Sequence, residues 1–152
     1  MADLKALRND IEKMVRELCG VVGILPERAT ETEREAIGAF AFGMVASHCV
    51  PKGLTLSQMN ALADIMLMDV LRYTPESAIA FSHNLVMSLD IMAGSNHHPG
   101  LHAIIHRGFE GYKQWEAGDV EWLRKNLQGV FDWLANGADT YTEAYRPSSN
   151  IN

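Results

Sequence analysis

Apolar residues recur at intervals of three and four along nearly the whole chain, and this helical spacing limits the possible folds more than any other feature. Six such segments follow one another, and none shows the strict alternation of a half-buried strand. The breaks between them are short, which favours antiparallel neighbours. We therefore predict an all-α, single-domain bundle of about six helices with short connections over residues 1–152, with an irregular tail from about 138.

Local start and stop signals place the six helices. Thr30 and Thr55 are each followed three residues later by Glu or Gln, which is the pattern of a capping box. Thr74 precedes a proline that suits the first helical turn, and Asp119 can cap the last helix. With their caps, the predicted helices run from about Asp3 to Cys19, Glu31 to His48, Thr55 to Tyr73, Thr74 to Ala93, Pro99 to Glu116 and Asp119 to Ala135.

Two of the predicted helices are apolar on most of their surface. The second is apolar nearly all round from Ile37 to Met44, and its small residues, among them Gly38 and Gly43, would let another helix approach closely. That neighbour could belong to the same chain or to a second copy, so a homo-oligomer is possible. The fourth helix is also mostly apolar, and we predict a central position for it.

Composition and charge exclude several classes of function. The formal net charge of −6 disfavours nucleic acid as a partner. It suits a basic protein partner, although solubility alone also explains it. No apolar run is long enough to cross a membrane, and the N-terminus has no apolar core of signal-peptide length, so we expect a cytoplasmic protein. Cys19 and Cys49 belong to no CxxC pair, and we expect both to be reduced core residues.

Histidines are concentrated before and within the predicted fifth helix. Four of the six histidines of the chain lie between residues 97 and 106. A step of four residues advances about 400°, so side chains at this interval form a slowly drifting stripe on one face. The side chains of this stripe are His98, His102, His106 and Glu110.

One reading of these histidines is a metal site. His102 and His106 are four residues apart, a spacing that can chelate zinc, and a third ligand could come from His48, His83 or Asp90. Such a set resembles the site of the DinB-like metal-dependent helical enzymes. The alternative is that the imidazoles make ordinary hydrogen bonds or line an interface. His83 and Asp90 could also form an acid–base pair, although a structural hydrogen bond is the commoner arrangement.

Aromatic residues complete this part of the chain. Phe109, Tyr112 and Trp115 share the apolar face of the fifth helix, and we predict core positions for them instead of a ligand site. Trp122 and Trp133 lie off the main apolar stripe of the last helix. We expect one of these two to be exposed, as tryptophan often is at binding surfaces.

The run from Ala103 to Trp115, AIIHRGFEGYKQW, resembles a segment of a small all-helical immunity protein family. This family is the forty-eighth catalogued among the immunity families of bacterial polymorphic-toxin systems. The resemblance extends loosely to the helical pattern from Thr30 onward. It implies a cytoplasmic protein that binds and neutralises a cognate toxin domain, and it brings no catalytic residues with it.

These observations give three hypotheses about function, the third being a homo-oligomeric structural module that associates through the small residues of the second helix. The first is an immunity protein without catalytic residues or cofactor, whose acidic surface suits a basic toxin such as a nuclease. The second is a DinB-like enzyme with His48, His102 and His106 as metal ligands. For the first hypothesis the predicted toxin-binding residues are His98, His102, His106, Glu110, Glu116 and Glu121.

Overall fold

The computed structural model of the chain describes residues 3–89 and 99–136. Within these ranges the chain forms six α-helices and two short 3-10 turns, without a strand, so the all-α prediction is confirmed. The predicted irregular tail from 138 and the end of the predicted fourth helix at Ala93 lie outside the described residues. The helices are α1 (Leu4–Val22), α2 (Glu31–Cys49), α3 (Leu56–Asp69), α4 (Pro75–Ser88), α5 (Pro99–Glu116) and α6 (Val120–Ala135).

The predicted caps are present because they depend only on residues close in sequence. The Thr30 hydroxyl accepts a hydrogen bond from the Glu33 N–H at 3.1 Å, and the Glu33 carboxylate accepts one from the Thr30 N–H at 2.9 Å. Thr55 forms the same reciprocal pair with the glutamine three residues later. The Asp119 carboxylate accepts a hydrogen bond from the Trp122 N–H. Each cap satisfies backbone donors that the first helical turn leaves unpaired.

Helix α3 ends at Asp69, four residues before the predicted end at Tyr73. Arg72 adopts a left-handed conformation with φ of 65°, and this turns the chain out of the helix. The Tyr73 N–H then donates to the Leu67 carbonyl at 2.9 Å. The left-handed position after a helix is usually glycine or asparagine, so an arginine there gives no recognisable stop signal in the sequence.

Helix α2 lies at the centre of the bundle, and the prediction of a central α4 is wrong. All residues of α2 from Ala36 to Ala46 are buried. Helix α4 packs against α3 at the edge of the bundle and buries Phe81 and Leu85. The opposite face of α4 is open to solvent, with Ile79 60% and Met87 49% exposed. Apolar content alone does not distinguish a central helix from an edge helix that carries surface apolar residues.

Helices α2 and α5 form the most extensive helix pair, and glycines let their backbones touch. A β-carbon added at Gly43 would overlap the Ile105 carbonyl oxygen and come within 3.0 Å of the Gly108 Cα. A β-carbon at Gly108 would overlap the Phe40 carbonyl oxygen. The predicted close approach is therefore confirmed, and it occurs within one chain. These glycines are not available to a second copy, and any homo-oligomer would use another surface.

Two further sequence predictions concern the cysteines and membrane insertion. Cys19 and Cys49 are both buried and neither forms a disulfide, as predicted. Burial raises the pKa of the Cys19 thiol to about 11, so this thiol stays protonated at neutral pH. In the described part of the chain, no helix combines the length and hydropathy that a membrane-crossing segment requires.

Candidate functional site

An open groove lies beside the contact between α2 and α5. Its volume is about 720 Å³, a size typical of ligand-binding clefts. The C-terminal end of α2 and the following 3-10 turn, Val50–Lys52, form one wall, and the outer side of α5 forms the other. The groove is lined mainly by apolar surface, from Ala46, Ser47, Val50, Pro51, Leu89, His102, His106, Phe109, Tyr112, Lys113 and Glu116.

The two walls follow from local sequence. On α5 the lining residues recur at intervals of three or four, so they form one stripe beside the face that packs on α2. On the other wall, Pro51 ends α2 and Gly53 adopts φ of 78°, which closes the turn. This turn leaves Val50 56% exposed, so its side chain lies at the mouth of the groove.

His102 and His106 lie side by side on the α5 wall. Their ring centroids are 4.2 Å apart, and the His106 ring also contacts Phe109 at 4.7 Å. His102 Nδ1 lies 2.7 Å from the Ser88 carbonyl oxygen. A carbonyl can only accept, so Nδ1 carries the proton and donates. Burial, and secondarily a charge on His102, lower the pKa of His106. The His106 ring therefore contributes a neutral surface to the groove at pH 7.

A chain of hydrogen bonds holds Tyr112 at the edge of the groove. His48 Nδ1 lies 2.9 Å from the Tyr112 hydroxyl, and His48 Nε2 lies 3.3 Å from an Asp10 carboxylate oxygen. The Tyr112 hydroxyl also lies 3.3 Å from a carboxylate oxygen of Glu116. Burial and the neighbouring Glu116 carboxylate raise the pKa of Tyr112. The phenol thus stays neutral and connects groups on α1, α2 and α5.

The histidines of the metal hypothesis are not brought together as one set. His48 uses both ring nitrogens toward Asp10 and Tyr112. His102 and His106 lie together, but in residues 3–89 and 99–136 no group of three or more His, Cys, Asp or Glu side chains is placed to hold a metal ion. Of the other two predicted ligands, His83 is exposed on α4 and Asp90 lies outside the described residues.

The predicted toxin-binding residues fall into separate places. Glu110 lies on the exposed ridge of α5 and forms an ion pair of 3.5 Å with Lys113. Glu121 lies on the exposed face of α6, where its carboxylate pairs with Arg124. The remaining predicted residues are His102, His106 and Glu116, which line the groove, and His98, which lies outside the described residues.

Several lining residues were not identified as site residues from the sequence. Phe109 and Tyr112, predicted as core, are only partly buried and line the groove, while the Trp115 indole donates to Glu17 at 2.8 Å. Val50 and Pro51 show no local signal, because their role depends on where the end of α2 meets α5.

The expectation that one of Trp122 and Trp133 is exposed is confirmed. Trp122, in the first turn of α6, is 59% exposed.

Comparison with known proteins identifies the family of this chain. A family model described as immunity protein 48 matches residues 8–135, from the first turns of α1 to the last residue of α6. The match includes both walls of the groove. Comparisons with curated proteins and with solved structures gave no match. The chain therefore belongs to the immunity protein 48 family, in agreement with the resemblance of residues 103–115.

Proposed function

We propose that this chain binds a cognate bacterial toxin domain in the cytoplasm and neutralises it. It acts by binding the toxin and does not catalyse a reaction. The observation that carries this proposal is the family match over residues 8–135, which extends over all six helices apart from the first residues of α1. An immunity protein needs a surface that complements its target, and the open groove beside α5 offers one.

We further propose that the toxin contacts the outer side of α5. An exposed apolar groove next to charged side chains has the composition of a protein-binding surface, with an apolar centre and a polar rim. The groove supplies the centre, and the exposed ion pair between Glu110 and Lys113 on α5 supplies part of the rim. The proposed contact residues are those predicted from the sequence: His98, His102, His106, Glu110, Glu116 and Glu121.

The charge of the protein supports a basic toxin. A net charge of −6 raises the association rate with a positively charged partner through long-range attraction. The same charge disfavours direct contact of this chain with nucleic acid. Against a toxin that acts on nucleic acid, the chain would therefore compete with that substrate by binding the toxin and not the nucleic acid.

Co-expression tests the proposed function. A candidate toxin domain encoded beside this gene is expressed in a bacterial host, alone and together with this chain. We expect growth to be restored and a complex of the two proteins to survive purification. The control is an unrelated toxin with the same mode of killing, against which this chain should give no protection. Continued toxicity in the presence of abundant folded protein would contradict this pairing.

A further inference from the structure

The centre of the groove is suited to an apolar side chain. Val50 and Pro51 on one wall face Phe109 on the other, and the volume of about 720 Å³ admits one or two large side chains. His106, whose pKa is lowered, adds an uncharged ring to the same wall. An aromatic or aliphatic anchor entering here would lose contact with water on both sides, as interface hot-spot residues do.

Three carboxylates that pair with no lysine or arginine in the described residues lie on or next to the Tyr112 side of this groove, and of these Glu116 lines it. The Glu116 carboxylate is held by Tyr112, the Glu17 carboxylate by Trp115, and the Asp10 carboxylate by a histidine of α2. In the described residues, none of these carboxylates pairs with lysine or arginine, whereas Glu110 on the neighbouring ridge does. In the described residues, the carboxylates of Glu17 and Glu116 are therefore held by hydrogen bonds without a lysine or arginine that would neutralise them.

We infer that the groove receives an apolar side chain of the toxin that lies next to a lysine or arginine, with the cation meeting Glu116. This inference rests on the proposed function and specifies the chemistry of the partner. The apolar side chain would pack between Val50 and Phe109. The cation would pair with the Glu116 carboxylate. A desolvated charge pair beside an apolar anchor provides both affinity and orientation.

Charge argues for the toxin as occupant over a second copy of this chain. Each copy carries a net charge of −6, and a symmetric dimer would place two identical groove edges against each other. The carboxylates of Asp10, Glu17 and Glu116 would then approach carboxylates of the partner copy, which opposes association. A basic toxin meets no such repulsion.

The test measures the affinity of purified variants for the purified toxin domain in an inactivated form. Val50→Arg places a cation at the groove mouth, and we expect it to weaken binding by about 30-fold or more, the range of an interface hot spot. Its matched control is Ile79→Arg, because Ile79 is a similarly exposed β-branched residue on α4. Both sites are more than half exposed, so both variants should remain folded.

A second pair of variants tests the charged edge. Glu116→Lys should weaken binding by about tenfold at low salt and less at high salt, because salt screens the charges. Its control is Glu27→Lys, in the turn that precedes α2, whereas the groove lies at the other end of this 19-residue helix. We expect the control to change affinity by less than about twofold, through net charge alone.

The outcomes separate the inference from the proposed function. Toxin binding by the wild-type chain that is weakened in Val50→Arg and Glu116→Lys, but not in the controls Ile79→Arg and Glu27→Lys, supports both. Binding that Val50→Arg and Glu116→Lys leave unchanged overturns the groove inference while immunity stands. Absence of binding by the wild-type chain overturns the proposed function for that toxin, and the inference falls with it. Sedimentation that shows a wild-type dimer disrupted by Val50→Arg would assign the groove to a second copy and overturn the inference.

Discussion

Helix α5 has one side that packs closely within the chain and an adjoining side that lines the open groove. On one side, Gly108 packs against Gly43 so closely that the backbones of α5 and α2 touch. On the adjoining side, the same helix presents His106, Phe109 and Tyr112 to an open groove. Glycine thus lies at the closest contact on the closed side, and large rings occupy the open side. The closed side fixes the position of α5, and the open side is the surface that we propose for the toxin.

This difference indicates how stability and binding are divided. Close packing of backbones tolerates no added atom, so substitutions on the closed side should affect folding first. Partly exposed side chains in the groove make fewer contacts within the chain, so their substitution should affect folding less. The following predictions test this division, beginning with the largest expected effect.

Gly43→Ala should destabilise the fold by about 3 kcal/mol, because the new methyl group overlaps a backbone carbonyl that cannot rotate away. Urea unfolding monitored by circular dichroism measures the loss. The control is Gly20→Ala in α1, where an added β-carbon meets nothing within 4 Å. That variant should be as stable as wild type or more stable by up to about 1 kcal/mol. Equal stability of both variants would refute the close contact between α2 and α5.

Tyr112→Phe should cost about 1 kcal/mol of stability, because it removes the hydroxyl that connects His48 with Glu116 and leaves the ring in place. The same urea experiment measures it. A double-mutant cycle with His48→Gln would show whether the two side chains are energetically coupled. A loss as large as that of Gly43→Ala would mean that the groove side contributes to folding as much as the closed side does.

The pH dependence of stability should contain a contribution from His106. Its pKa is lowered from the ordinary 6.5 by burial and by His102, so the unfolded chain takes up the proton first as pH falls. This contribution is fully present above the unfolded-state pKa and is lost as pH falls toward the folded-state pKa. The unfolding free energy of His106→Gln should therefore fall less than that of wild type between about pH 7.5 and about pH 5.5. Equal losses in the two proteins would count against a shifted pKa.

Glu116→Gln should have the smallest effect. It removes one negative charge at the groove edge, so the rate of association with the toxin should fall roughly twofold at about 50 mM salt. At about 500 mM salt the difference should disappear. Glu27→Gln, which removes a charge of the same sign far from the groove, is the control. A matching decrease in the control would show that only net charge matters.

Features fixed by neighbouring residues were predictable, and features fixed by distant ones were not. The caps at Thr30 and Thr55 depend on a side chain three residues away, so the sequence contains the complete signal. The pairing of His102 with His106 is equally local, since one helical turn brings them together. The early end of α3 was missed because it depends on the left-handed Arg72, which lacks the usual glycine signal.

The groove depends on contacts between elements that are far apart in the chain. His48 was a plausible third ligand by residue type, but the position of α2 pairs it with Asp10 and Tyr112 instead. Val50 gave no signal, because its exposure follows from where α2 ends relative to α5. The sequence predicted α5 as the site region, and the opposite wall of the groove required the three-dimensional structure.

Hydrogen exchange in the complex with the toxin tests the central claim most directly, namely that the open side of α5 is the toxin-binding surface. Amide exchange is compared in the wild-type chain, free and bound to the inactivated toxin domain. We predict slower exchange on binding at the end of α2 and the following turn, residues 46–52, and along α5, residues 102–116. Protection confined to the exposed face of α4, around Ile79 and Met87, would contradict this account.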